Sequence, residues 1–86
     1  MAQATPNPTP NPNALKFELD VTLPASFNVT SAEEASGNAF AEAVFAVDGV
    51  VSVFGVNDFV SVNRRDAGVE WDPIVEVVQQ AAARHL

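Results

Sequence analysis

The spacing of apolar residues changes along this 86-residue chain, and that change constrains its fold more than any single motif. Apolar and polar residues alternate over residues 14–21, which predicts a β-strand with one buried face. The apolar members of this strand are Leu15, Phe17, Leu19 and Val21. A shorter alternation at Phe27 and Val29 follows a brief turn, and we expect it to form an antiparallel hairpin with the first strand.

Between Ser31 and Gly49 the apolar spacing becomes that of a helix. Ser31 and Glu34 have the spacing of a capping box, while Gly37 and Asn38 offer a second helix start. We therefore predict a short turn followed by a main helix that stops at Gly49. The inner stripe of this helix consists of Phe40, Ala43, Val44 and Val47.

The second half of the chain repeats this order. Residues 50–54 and 59–63 are β-branched runs on either side of a Gly/Asn turn, and they predict a second hairpin whose outer strand lies at a sheet edge. Asp72 and Pro73 predict the N-cap and the first residue of the last helix. Its predicted inner stripe consists of Ile74, Val77, Val78, Ala81 and Ala82.

The resulting order, ββαββα over residues 14–86, predicts the fold class. Two helices with one apolar stripe each pack most simply on one face of a largely antiparallel, four-stranded sheet, in a two-layer α+β sandwich. The other sheet face is left to solvent or to a ligand. In so small a core, we expect the large aromatic residues to carry much of the stability. They are Phe17, Phe40, Phe45, Phe54, Phe59 and Trp71.

Residues 1–13 form an arm rich in proline and asparagine. Proline occupies every second position from Pro6 to Pro12. Because proline fixes φ and lacks an N–H group, we expect this arm to be extended or disordered and to lie outside the hydrogen-bonded core. A ligand segment for a proline-binding partner is the alternative interpretation of the arm.

Composition excludes several classes of function. The 11 acidic and 4 basic residues give a net charge near −7, which disfavours nucleic acid and anionic membrane surfaces as partners. The absence of cysteine excludes disulfides, thiolate nucleophiles and Cys-ligated clusters within this chain. With no apolar run of about 20 residues and no signal segment, we expect a cytoplasmic protein.

Few residues are candidates for catalysis or metal binding. His85 is the single histidine and is next to the last residue, where we expect an exposed side chain. Asp48, Asp58 and Asp72 lie at predicted element boundaries, where carboxylates cap or turn the backbone. We therefore predict no catalytic residue, no metal site and no cofactor.

Four residues are candidates for contact with a protein partner: Lys16, Arg64, Arg65 and Trp71. The alternative for the two arginines is local neutralisation of Asp66 and Glu70. The alternative for the tryptophan is a core anchor before the last helix.

Several motifs, in order along nearly the whole chain, resemble one known family. Residues 8–17, PTPNPNALKF, resemble the opening of the N-terminal domain of Nfu-type iron–sulfur cluster scaffold proteins. Residues 41–54 are similar to the family's "LAxxLFxIxGVxSVF", and residues 58–63 to its "DFITVTK". Trp71 stands where the family keeps a tryptophan before the last helix.

This resemblance implies an accessory or protein-interaction module of iron–sulfur cluster biogenesis that binds no cluster itself. Members commonly append a C-terminal domain whose CxxC thiolates hold the cluster, and we expect this chain to be a stand-alone N-terminal domain. The implied partner is a thiolate-bearing scaffold or an apo-recipient, and we expect a monomer or weak dimer. The alternative function is a small ligand-binding or regulatory α+β domain that uses the open sheet face.

Overall fold

The computed structural model describes residues 2–86, which form five strands and two helices. In chain order they are β1 (Ala4–Pro8), β2 (Ala14–Leu19), β3 (Phe27–Val29), α1 (Ala39–Phe45), β4 (Val50–Val56), β5 (Phe59–Arg64) and α2 (Trp71–His85). The strands form one antiparallel sheet in the order β1-β2-β5-β4-β3. The predicted α+β class is confirmed.

One face of the sheet carries the core. Phe17 of β2, Val53 of β4 and Val60 and Val62 of β5 are fully buried on this face. Both helices pack into the same cluster through their apolar stripes, to which α1 contributes Phe40 and Val44 and α2 contributes Ile74, Val78, Ala81 and Ala82. The opposite face, which we call the open face, carries the alternate residues of each strand.

The prediction of four strands is wrong, because part of the N-terminal arm belongs to the sheet. Strand β1 pairs with β2 from Ala4 opposite Leu19 to Pro8 opposite Leu15. Alternate prolines are compatible with this strand because an edge strand needs N–H donors on one side only. Ala2 and Ala4 are buried in the core, so these residues are not outside the hydrogen-bonded structure.

The predicted first hairpin is also wrong. Strand β2 lies between β1 and β5, whereas β3 pairs with β4 at the far edge. The chain crosses from β2 to β3 past the turn between β4 and β5, where the Leu23 N–H donates to the Asn57 carbonyl at 2.6 Å. The Leu23 side chain is buried there, so the connection is part of the core.

The predicted second hairpin is confirmed, with Val56 opposite Phe59 across the two-residue turn Asn57 and Asp58. Asn57 has φ 53°, a conformation that asparagine tolerates better than most residues. Neither strand of this hairpin is an edge, because the edges of the sheet are β1 and β3. The expectation of an edge at the second hairpin is therefore wrong.

The first helix starts as predicted, after a short turn. The Ala41 N–H donates to Asn38 Oδ1 at 3.1 Å, and in the preceding turn the Glu34 N–H donates to Ser31 Oγ at 3.2 Å. The helix ends at Phe45 rather than at Gly49. Gly49 lies instead in the turn before β4 with φ 98°, where an added Cβ would be 2.6 Å from Val69 Cγ1.

The second helix starts before its predicted cap. Its first residue is Trp71 and its N-cap is Glu70, whose side chain makes no capping hydrogen bond. Asp72 and Pro73 are the second and third helical residues, so the predicted roles of cap and first residue are wrong. The first-turn N–H groups of a helix have no intrahelical acceptor, which is why proline fits at this later position as well.

Candidate functional site

Arg64, at the end of β5, joins three segments of the chain. Its Nη1 donates to the Val69 carbonyl at 2.6 Å, its Nη2 to the Pro12 carbonyl at 3.0 Å and its Nε to Asn13 Oδ1 at 3.2 Å. The guanidinium carbon lies 4.8 Å from the centroid of the Trp71 ring, within the range of a cation–π contact. We call this group, Arg64 with Trp71, Pro12, Asn13 and Val69, the arginine corner.

The arginine corner ties the β1–β2 connection to the start of α2. Trp71 Nε1 also donates to the Pro12 carbonyl, at 3.4 Å. The predicted alternative for Arg64, neutralisation of Asp66 and Glu70, is wrong, because all its hydrogen-bond acceptors are neutral. For Arg65 it is right: its Nε lies 3.6 Å from Asp66 Oδ2, in a pair whose side chains are 59% and 61% exposed.

The open face is arranged in rows set by the strand register. In one row Glu18 lies opposite Phe59, which lies opposite Val56. In the next row Ser61 is flanked by Lys16 and Phe54. The remaining neighbours in these rows are small polar residues, and they are Thr5, Asn7 and Asn28.

Two aromatic rings and one cation meet on the open face. The Phe54 and Phe59 ring centroids are 6.2 Å apart with an interplanar angle of 55°. Lys16 Nζ lies 4.6 Å from the centroid of the Phe59 ring. We call Lys16, Phe54 and Phe59 the aromatic patch.

The expected core role is wrong for Phe54, whose residue surface is 39% exposed. Phe59 is partly buried on the same face, in contrast to Phe17 and Phe40 in the core. The signal that identifies Phe54 as a surface residue is its alternation with Val53. Once Val53 faces the core, Phe54 must face the other way, together with polar Ser61.

The structure does not bring the four predicted partner residues into one site. Arg64 and Trp71 contact each other, and Arg65 is the residue after Arg64 in the chain. Lys16 lies on the open face, away from the helices. Sequence reasoning missed Phe54 and Phe59 as neighbours of Lys16, because it assigned both rings to the core.

The donor groups of this chain do not fit an iron–sulfur cluster. Such clusters are held by Cys thiolates, in some cases with His, and the sequence has no cysteine and one histidine. His85 is exposed in the last turn of α2. Within residues 2–86 no three His, Cys, Asp or Glu side chains lie close enough together to hold a metal ion.

One carboxylate has a perturbed pKa. The Thr30 hydroxyl and the Thr30 N–H both donate to Glu34 Oε1, the N–H at 3.0 Å, and they lower the pKa of Glu34. Because hydrogen bonds to a carboxylate favour its charged form, this shift reports a local turn before α1. It does not indicate a catalytic acid, since the group is exposed and, within residues 2–86, its carboxylate accepts hydrogen bonds from Thr30 alone.

The fold and these surfaces define a small α+β domain with one open sheet face. A family model described as "Scaffold protein Nfu/NifU N terminal" matches residues 3–86, and the chain belongs to this family. The resemblance seen in the sequence motifs is thereby confirmed.

Curated NifU-like proteins have similar sequences. The chain is 41% identical over 66 residues to NifU-like protein 5, mitochondrial, from Arabidopsis thaliana, covering 74% of this chain and 24% of the relative. It is 35% identical over 82 residues to a NifU-like protein from Schizosaccharomyces pombe, covering 91% of this chain and 31% of the relative. The chain therefore spans less than a third of the length of either relative.

Solved structures have the same fold. A NifU-like protein from Saccharomyces cerevisiae, solved by NMR, superposes with a TM-score of 0.76 at 26% identity, covering 98% of this chain and 76% of that one. A crystal structure of a Staphylococcus aureus protein superposes with a TM-score of 0.76 at 28% identity, covering 92% and 96%. No helix within residues 2–86 has the length and apolar character needed to cross a membrane.

Proposed function

We propose that this chain is a non-catalytic accessory module of iron–sulfur cluster biogenesis, which binds another protein and holds no cluster itself. The observation that carries the proposal is the family match over residues 3–86. The family is linked to iron–sulfur cluster biogenesis. A domain of this family without thiolates can contribute to that process by contact with a protein that has them.

The proposed partner is a thiolate-bearing iron–sulfur scaffold or an apo-recipient. The four basic residues are outnumbered by acidic ones, so a partner with a basic surface is favoured electrostatically. Lys16, Arg64, Arg65 and Trp71 stay predictions as partner contacts. Lys16 and Arg65 suit that role better than the other two. The side chains of Arg64 and Trp71 donate hydrogen bonds to backbone carbonyls of this chain, whereas the ion pair of Arg65 with Asp66 is exposed to solvent.

Reconstitution tests the first half of the proposal. The purified chain is incubated with ferrous iron and sulfide under anaerobic conditions, alone or with a thiolate-bearing scaffold protein, and then desalted. We expect iron, sulfide and visible absorption to remain with the scaffold only. A stoichiometric cluster on this chain alone would contradict the proposed division of labour.

Co-purification from native lysate tests the second half. The tagged chain serves as bait, and a tagged acidic domain of similar size and unrelated fold serves as the control. We expect at least one iron–sulfur scaffold or apo-recipient to be enriched over the control. Recovery of no iron–sulfur component would count against the proposal.

The alternative function, a ligand-binding or regulatory domain, is separated by thermal shift. A small molecule that binds the folded state raises the melting temperature in proportion to its saturation. We expect no stabilisation by a panel of common metabolites. A reproducible, saturable increase with one of them would favour the alternative, and loss of the increase in Phe54→Ala would place the ligand on the open face.

A further inference from the structure

The aromatic patch places an exposed apolar side chain, Phe54, on the open face. Within residues 2–86, the exposed large apolar side chains are Val51 and Phe54, and both belong to β4. Phe54 has two polar neighbours across the sheet, Ser61 on β5 and Asn28 on β3. Exposed aromatic side chains beside small polar residues leave one ring face accessible to a partner.

The charges around the patch are unequal. Glu18 lies directly opposite Phe59, and exposed Asp58 precedes Phe59 in the turn. Lys16 is the nearby cation, and its ammonium already lies over the Phe59 ring. A partner that covers Phe54 therefore meets more negative than positive charge.

Arginine is the side chain that satisfies both features. Its flat guanidinium stacks on an aromatic ring and binds a carboxylate through two parallel N–H groups, which a lysine ammonium does not do. The arginine corner contains an arginine–aromatic contact within this chain, where the guanidinium carbon of Arg64 lies 4.8 Å from the centroid of the Trp71 ring.

We propose that the open face binds a partner protein through a segment with more than one arginine, one guanidinium stacked on Phe54 and another paired with Glu18 in the neighbouring row of the sheet. This proposal rests on the proposed function, since it requires that the chain is a protein-binding module. It goes further in naming the surface and the chemistry of the partner. The approach is steered by the net charge of −7, and the ring–guanidinium contact supplies the specificity.

An NMR titration tests the proposal without the natural partner. The probe is a 12-residue synthetic peptide of alternating arginine and valine, added to the ¹⁵N-labelled chain at moderate ionic strength. A peptide with lysine in place of every arginine has the same charge and is the matched probe. We expect amide shifts concentrated at Glu18, Phe54, Phe59 and Ser61, and weaker binding of the lysine peptide.

Variants of the chain assign the shifts to the proposed contacts. A lost cation–π contact of about 0.5–1 kcal/mol predicts that Phe54→Ala weakens the arginine peptide about 2- to 5-fold, which brings it close to the lysine peptide. Glu18→Gln is expected to weaken binding, whereas Glu33→Gln, which removes an exposed charge elsewhere, leaves it nearly unchanged. Val51→Ala controls for loss of an exposed side chain from β4, and amide dispersion verifies the fold of every variant.

Three results would overturn the proposal. They are shifts spread over the carboxylates of both helices, equal affinity for the arginine and lysine peptides, and concentration-dependent shifts of the patch without peptide, which would indicate a second copy as the occupant. Each would leave the proposed function standing, because co-purification and reconstitution do not depend on the open face. Failure of those two experiments with a positive titration would instead remove the assignment to iron–sulfur biogenesis.

Discussion

Two cation–aromatic pairs lie on opposite faces of the same sheet and have nearly the same distance between cation and ring. Arg64 lies 4.8 Å from the Trp71 ring, on the side of the helices, and Lys16 lies 4.6 Å from the Phe59 ring on the open face. They differ in what else the cation binds. Arg64 donates three hydrogen bonds to this chain, whereas within residues 2–86 the Lys16 ammonium makes no hydrogen bond or ion pair.

Because of this difference, the Arg64 contact stabilises the fold, whereas the Lys16 side chain remains free to contact a partner. The Arg64 guanidinium replaces water with protein acceptors from two connections. Its removal takes the side-chain donor from the Val69 carbonyl and leaves the Pro12 carbonyl with only the longer hydrogen bond from Trp71. The Lys16 ammonium keeps its water and contributes mainly the modest energy of an exposed cation–π contact. At nearly the same distance from a ring, Arg64 is therefore a fold-stabilising group and Lys16 is a candidate for partner binding.

The largest expected contrast between the two faces comes from phenylalanine truncation. Phe17 is fully buried on the core face, whereas Phe54 is 39% exposed on the open face. Phe17→Ala should lower the free energy of unfolding by about 3–5 kcal/mol, because it leaves a cavity. Phe54→Ala should cost about 1 kcal/mol or less. Urea unfolding monitored by Trp71 fluorescence measures both, and similar losses for the two variants would contradict the open-face assignment.

The two cations provide the next contrast. Arg64→Ala removes three hydrogen bonds and should lower the free energy of unfolding by about 2–4 kcal/mol, while Lys16→Ala should change it by about 0.5 kcal/mol. Arg64→Lys keeps the charge but not the planar fork, so we expect it to recover less than half of the loss. Full recovery in Arg64→Lys would show that charge alone, and not the hydrogen bonds of the arginine corner, holds the connections.

The sequence predicts those parts of the fold in which local pattern and tertiary contact agree. Alternation identifies β2, and β-branched runs on either side of a turn identify β4 and β5. The spacing of Ile74, Val78 and Ala81 identifies the buried stripe of α2. The sequence does not reveal that β2 and β3 lie apart, since a short connection suits a hairpin as well as a crossing past the two strands that lie between β2 and β3. The crossing depends on burial of Leu23 beneath the second hairpin, which is a tertiary contact.

The sequence pattern also fails to predict strand β1, because its pairing depends on its position in the sheet. Proline every second residue argues against any strand with neighbours on both sides, and only the edge position makes Ala4–Pro8 compatible with pairing. The candidate site is likewise predicted only in part, because its contacts depend on how distant segments pack. Sequence reasoning found the charged and tryptophan residues of the arginine corner, but their contacts with Pro12 and Val69 depend on the β1–β2 connection.

Arg65 tests whether hydrogen bonds or charge stabilise this corner, because it follows Arg64 in the chain and is more exposed. Its ion pair with Asp66 is exposed on both sides, and such pairs contribute about 0–1 kcal/mol. Arg65→Gln should therefore lower the free energy of unfolding by less than about 0.5 kcal/mol, and high salt should abolish the difference. A loss comparable to that of Arg64→Ala would mean that charge at this corner matters more than the number of acceptors.

The smallest expected effect is a change in the pKa of Glu34, an exposed carboxylate that accepts hydrogen bonds from Thr30. Two donors from Thr30 lower the pKa of Glu34 below its ordinary value of 4.5. Since the folded pKa lies below the unfolded one, the stabilisation is present above the unfolded pKa and is lost as the pH falls through the folded pKa. Thr30→Val removes the hydroxyl donor but keeps the N–H donor, so the pKa of Glu34 should rise part of the way back toward 4.5.

Carboxyl ¹³C chemical shifts of Glu34, followed from neutral pH down to acid pH, measure that pKa directly. Thr22→Val, at another exposed threonine, is the matched control and should leave the titration of Glu34 unchanged. An unchanged midpoint in Thr30→Val would show that the hydroxyl donor does not set the pKa. A partial rise would show that hydrogen-bond partners, and not exposure, set the pKa of Glu34. The carboxylate would then resemble Arg64 and Lys16, which also differ in their hydrogen-bond partners.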